Sequence, residues 1–206
     1  MALRPVSLGR DALIEVLREN EVTVVLGETG SGKTTRRHSY PSNYHTAITD
    51  PHCQEVPQYL LESGISGKGM IAVTQPRKVA ATSLATRVAA EQNVTLGGLV
   101  GYTVRFDDMS GTGTRIKYVT DGMLVRELLS DALLSRYSVV VVDEAHERTL
   151  RTDILIANLK TIQMKRNSSD ATKAKGEAPT SSPNPLKIVV MSATLDAEKF
   201  SKFYHK

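Results

Sequence analysis

The stretch Gly27-Glu28-Thr29-Gly30-Ser31-Gly32-Lys33-Thr34 constrains this chain more than any other. It follows an apolar run at residues 22–26 that reads as a buried parallel strand, and it leads into a segment able to start a helix. A glycine, four residues and then Gly-Lys-Thr is the phosphate-binding loop pattern. Its glycines let successive N–H groups point at one anion, and the helix N-terminus adds partial positive charge. In such a loop Lys33 reaches the β- and γ-phosphates, and the Thr34 hydroxyl sits on Mg²⁺. The expectation is a binder of a nucleoside triphosphate with Mg²⁺.

Strand and helix patterns alternate along the remainder. A helix is expected at 7–19, with Ser7 as N-cap and Leu8, Ala12, Leu13, Val16 and Leu17 on one face. Strands are expected at 70–74, 100–106, 115–120, 138–142 and 187–191, and 107–113 reads as a polar turn. Helices are expected at 56–62, 78–92, from 121 onward through Leu124, Val125, Leu128 and Leu129, and at 153–164 and 196–204. The apolar face of the helix at 78–92 reads as Ala80, Leu84, Val88 and Ala89. This order predicts an α/β fold, a doubly wound, mostly parallel sheet with ligands at the strands' carboxyl ends. At 206 residues the chain suits one such domain. Two segments break the pattern. Residues 36–54 have two prolines and no apolar period, and 165–185 is a polar run expected to be a flexible loop.

Composition narrows the setting. A hydrophobic fraction of 40% with 23% charged residues is that of a soluble globular protein. The net charge of +4 permits a polyanionic partner without requiring one. Cys53 is the single cysteine, which excludes an internal disulfide framework and a cysteine-built zinc site. The histidines near it match no zinc spacing, so a solvated loop is the expectation there. No apolar run reaches the length of a membrane span, and an intracellular setting is expected.

Opposite a phosphate loop an enzyme needs an acidic site. Val139-Val140-Val141-Val142 runs directly into Asp143-Glu144-Ala145-His146. Asp143 at the strand tip is suited to hold Mg²⁺, and Glu144 to orient and deprotonate the water that attacks the γ-phosphate. His146 follows the acids closely enough to sense the nucleotide.

Asp143-Glu144-Ala145-His146-Glu147-Arg148 spells the signature of the DEAH-box helicases, and the resemblance extends well beyond it. Residues 27–34 resemble that family's motif I, Thr74-Gln75-Pro76-Arg77 its motif Ia, Thr120-Asp121-Gly122-Met123-Leu124 its motif Ib, and Ser192-Ala193-Thr194 its motif III. Val100 to Phe106 is also similar to a family stretch. The five motifs occur in family order, and the similarity is greatest to the splicing and ribosome-biogenesis branch. The resemblance implies a RecA-like P-loop NTPase domain with helices on both sheet faces, spanning 1–206, whose cofactors are ATP and Mg²⁺.

It further implies that Gly27, Glu28, Thr29, Gly30, Ser31, Gly32, Lys33, Thr34 and Thr35 bind the nucleotide, and that Arg87 stacks on its base. Thr34, Asp143 and Glu144 form the metal side, and Lys33, Asp143, Glu144 and His146 the catalytic set. Ser192, Ala193 and Thr194 couple hydrolysis to movement with His146 as partner. Arg77, Arg105 and Thr120 touch the RNA backbone, which gives affinity without sequence reading. The resemblance also implies a nuclear or nucleolar location and an activating protein cofactor that acts through domains outside this chain.

Two departures from the family pattern carry expectations of their own. The second RecA-like domain and the C-terminal accessory domains are absent from these residues, along with the arginines that stabilise the γ-phosphate. The chain alone is therefore expected to hydrolyse ATP very slowly and not to unwind a duplex, because an arginine finger is worth on the order of a thousandfold. The segment 36–54 interrupts the helix that begins at the phosphate loop. It is either a genuine surface loop or translated sequence foreign to the mature message. A non-catalytic fragment that binds RNA or a partner, and a DNA-stimulated P-loop helicase, are the competing functions.

Overall fold

A computed structural model describes residues 5–26, 55–167 and 185–192. The expected phosphate loop at 27–35, the segment 36–54, the span 168–184, Ala193, Thr194 and the helix at 196–204 lie outside the described residues.

Helix α1 (Pro5–Glu19) leads into strand β1 (Val22–Leu26), and helix α2 (Val56–Glu62) precedes β2 (Met70–Gln75). Next come α3 (Lys78–Glu91), β3 (Val100–Val104), β4 (Asp107–Met109) and β5 (Ile116–Thr120). Helix α4 (Asp121–Glu127), β6 (Tyr137–Val142), a 3₁₀ turn (Ala145–Glu147), α5 (Leu150–Asn167) and β7 (Lys187–Ser192) complete the order. The seven strands form one sheet in the order β1-β7-β6-β2-β5-β3-β4. All ladders are parallel except β3–β4.

Side-chain alternation explains why the central strands are apolar throughout. Ile71, Val73, Val139 and Val141 face one core with Leu13, Leu17, Tyr59, Leu60 and Val88 from α1, α2 and α3. Ala72, Val140 and Val142 face the other with Leu124, Leu155 and Leu159 from α4 and α5. A strand covered on both faces has no solvated side for polar residues, and β6 is buried over its whole length. Helices cover both faces, as a doubly wound sheet requires. Helices α2 and α5 thus pack on opposite faces of the sheet.

Several boundaries differ from the sequence expectation. Helix α1 begins at Pro5, so Ser7 lies inside its first turn rather than at the N-cap; proline's fixed φ suits the first helical position. The segment 107–113 is not only a turn, because 107–109 form an antiparallel strand on β3. Gly101 makes that approach possible: a Cβ there would lie 2.4 Å from the Met109 carbonyl oxygen. Tyr102 and Thr103 then donate to the carboxylates of Asp107 and Asp108.

The buried face of α3 is Ala81, Ala85, Val88 and Ala89, with Leu84 only partly buried. Leu129 falls beyond α4 and is 88% exposed, so it belongs to no apolar face. Helix α5 continues to Asn167, three residues beyond the expected Met164. Its last turn is tied down from a distance. The buried Arg166 guanidinium donates to the carbonyls of Leu133 and Leu134, and Asn167 exchanges two hydrogen bonds with Leu186.

Candidate functional site

Parallel strands deliver their carboxyl ends to a single edge, and the register shows which residues meet there. Leu26 pairs with Ser192, Val190 with Val142, Val142 with Thr74, and Gln75 with Thr120. The carboxyl end of β1 at Leu26, the acidic pair after Val142, Gln75 with the turn that follows it, and Thr120 therefore all lie at the same edge of the sheet. Ser192 is buried at the end of β7.

Asp143 follows the last residue of β6, and its own N–H still donates to the Thr74 carbonyl at 3.3 Å. Its carboxylate is held from two sides. Gln75 Nε2 donates to Oδ2 at 2.5 Å, and the Glu144 N–H donates to Oδ1 at 2.8 Å. Burial nevertheless dominates and raises the Asp143 pKa to about 6, against the two hydrogen bonds that lower it. A buried carboxylate in that condition is a group short of positive charge.

Glu144 adopts the left-handed conformation at φ 52°, which turns the chain sharply off the strand. Arg148, with φ 47°, does the same at the far end of the 3₁₀ turn. Between these two bends the turn carries His146, whose Nδ1 lies 3.4 Å from Glu144 Oε2. Arg148 is anchored to the Asp153 carboxylate through Nε and Nη2 at 2.8 and 3.1 Å. Among the described residues no group of three or more His, Cys, Asp or Glu is placed to hold a metal ion. One or two carboxylates still suit Mg²⁺, which keeps waters and takes the rest of its shell from phosphates.

The expected RNA-contacting residues cluster on the same side. Arg77, at the start of α3, is exposed and pairs with Glu147 of the 3₁₀ turn at 3.0 Å. Lys78 Nζ reaches the Arg105 carbonyl at 3.4 Å, and the Arg105 guanidinium lies over the Phe106 ring at 4.8 Å. Thr120 is the extended residue that opens α4 and makes no side-chain capping bond. Arg87 stands farther along α3, where its Nε donates to Glu91 Oε1 at 2.7 Å.

Three residues of the site drew no role from sequence reasoning. Gln75 is one, a polar side chain 2% exposed at the end of an apolar strand; a glutamine closing a buried run is the available signal. Glu147 is the second. The third is Asp121, 2% exposed, whose Oδ2 accepts from Thr152 Oγ1 at 2.5 Å. Thr152 in turn contacts Thr149, whose hydroxyl accepts the Thr152 N–H and caps the first turn of α5. The helix after β5 is thus pinned to the helix after the acidic signature.

The family model described as "AAA domain" matches residues 17–174. Mouse (Mus musculus) ATP-dependent RNA helicase DHX33 is 48% identical over 202 residues, 98% of this chain and 24% of that protein. The human (Homo sapiens) ATP-dependent RNA helicase DHX33 is 48% identical over 201 residues, 98% of this chain and 24% of its own length. The probable ATP-dependent RNA helicase DHX40 of Rattus norvegicus is 46% identical over 200 residues, 97% of this chain and 22% of that protein. The chain spans about a quarter of the length of these relatives.

Proposed function

The chain belongs to the AAA-domain family of P-loop proteins and is a close relative of DEAH-box ATP-dependent RNA helicases, and from that premise we propose that it is the ATP-binding, hydrolysing RecA-like domain of such a helicase. The observation that carries the reading is the placement of Asp143. It is a buried carboxylate with a raised pKa, at a parallel strand's carboxyl end, on the side where the chain leaves β1 toward the Gly-Lys-Thr motif. Mg²⁺ fits this donor set, with Asp143, Glu144 and Thr34 on its side, and when bound it supplies charge neutralisation at the β- and γ-phosphates.

The chain's own residues divide the remaining work. The amides of residues 27–35 and Lys33 cradle the phosphates, Gln75 holds Asp143 in place, and Glu144 takes the proton of the attacking water. His146, beside Glu144, relays the state of the nucleotide toward Ser192, Ala193 and Thr194. Arg87 reaches the base. Arg77, Arg105 and Thr120 hold the RNA backbone, which suits an enzyme that moves along any strand. Full turnover and duplex unwinding call on arginines from a second RecA-like domain.

The test is equilibrium binding of a fluorescent ATP analogue to the chain, with and without Mg²⁺, beside Lys33→Ala and Asp143→Asn. Mg²⁺-dependent binding that both variants lose supports the proposal. Binding that is indifferent to Mg²⁺ and to both substitutions overturns it. Supplying the second domain and comparing RNA with DNA as the ATPase stimulant then decides the polymer; equal stimulation by both would remove the RNA assignment.

A further inference from the structure

Glu147 holds the one cation that the proposed RNA path most needs. Its carboxylate sits 3.0 Å from Arg77 Nη2, and the Arg77 side chain is otherwise 75% exposed. Lys78 and Arg105 are joined beside it by the Lys78 contact to the Arg105 carbonyl. Glu147 therefore places an internal anion against a cationic ridge that would otherwise receive a backbone phosphate. It also lies in the short turn between the left-handed residues Glu144 and Arg148, together with Glu144 and His146. Left-handed bends at non-glycine residues are features that packing must hold in place.

We propose that Glu147 is a positioning residue that competes with nucleic-acid phosphate for Arg77, so that strand binding releases the turn carrying Glu144 and His146. The proposal rests on the reading of Arg77 as a phosphate contact. A guanidinium exchanges one oxyanion for another at little cost, because carboxylate and phosphate offer it the same bidentate acceptor geometry. The ion pair is exposed and therefore weak, so an incoming phosphate can displace it. Once displaced, Glu147 no longer tethers its turn to α3, and the turn's set relative to Asp143 is free to change. In this way occupation of the RNA path reaches the water-orienting Glu144 through a single side chain.

The experiment measures binding of a fluorescein-labelled single-stranded oligoribonucleotide to the full chain, in wild type, Glu147→Gln, Glu147→Ala, Arg77→Ala and Arg77→Ala/Glu147→Gln. Thermal melts alongside establish that each variant is folded. Removing the competing charge is expected to tighten binding by about two- to fivefold, the scale of an exposed ion pair. Both Glu147 variants should behave alike. Arg77→Ala should weaken binding and abolish the effect of Glu147→Gln, which a merely structural role for Glu147 would not do. Unchanged or weaker binding in both folded Glu147 variants, with Arg77→Ala still weakened, overturns the competition while leaving the RNA reading intact. No change in Arg77→Ala overturns the phosphate contact itself, and the competition with it.

Discussion

Gln75 and Asp143 meet across the β2–β6 ladder, with the amide Nε2 of one 2.5 Å from Oδ2 of the other. A glutamine closing one strand thereby holds the carboxylate that follows the next strand of the ladder. Gln75→Leu keeps the volume and removes the donor. It is expected to weaken Mg²⁺-dependent nucleotide binding and to lower stability by about 1–3 kcal/mol, the usual penalty for stripping a buried partner. Nucleotide titration and a chemical melt on the same variant read both effects; full retention of metal-dependent binding would show that Asp143 needs no support from β2.

Asp143 should give the site a pH dependence. Its folded pKa is raised to about 6, above the ordinary carboxylate value of 3.8, so the folded state keeps its proton where the unfolded state loses it. The sign follows: the unliganded fold loses stability as pH climbs from about 4 through 6, by up to about 3 kcal/mol for two pKa units. Asp143→Asn without metal should therefore melt higher than wild type at pH 7.5. In the opposite direction, Mg²⁺-dependent nucleotide affinity should rise between pH 5 and 7 as the carboxylate ionises, and Asp143→Asn should flatten that rise.

Besides the apolar packing of Leu124 with Leu155, one hydroxyl joins α4 to α5 by a buried hydrogen bond. Thr152 donates to Asp121 Oδ2, while Asp121 Oδ1 is buried and already lacks a partner. Thr152→Val removes the donor without changing shape and leaves a buried carboxyl stripped. A loss of about 2–4 kcal/mol is expected from urea melts. Adding Asp121→Asn to Thr152→Val should recover part of it, since the neutral amide costs less to bury.

Gly101→Ala tests the edge of the sheet. The new Cβ would meet the Met109 carbonyl oxygen at 2.4 Å, so β4 must move away from β3. Faster hydrogen exchange confined to 102–110, with the central strands unchanged, is the expected outcome. Protection equal to wild type would mean the hairpin accommodates the methyl group by a rigid shift.

The parallel sheet was legible because its signal is local and redundant. Val139-Val140-Val141-Val142 announces a strand covered on both faces, and the acidic residues directly after it mark the end that faces a ligand. The ends of elements were less legible because distant residues set them. Lys165 and Arg166 suit a helix's last turn, but they also suit a solvated loop, and only the reach of Arg166 to the carbonyls of Leu133 and Leu134 holds that turn in place. Strand β4 was hidden for a similar reason, since its two aspartates are satisfied by hydroxyls five residues earlier. The pairing of Arg77 with Glu147 spans seventy residues, and no periodicity encodes a contact of that kind.

The sheet order has a consequence for how the protein is made. Among the described residues β1 ladders only with β7, Val22 opposite Ile188. The strand that leads into the nucleotide motif leaves the ribosome well before its partner, more than 150 residues later, is made. Contacts so remote in sequence are slow to form. Through most of synthesis the inner strands can already pair while β1 waits with its backbone hydrogen bonds unmade, a stretch that nascent-chain chaperones would recognise. A chain stopped before Lys187 would hold the acidic half of the site and leave β1 without the strand it pairs with among the described residues.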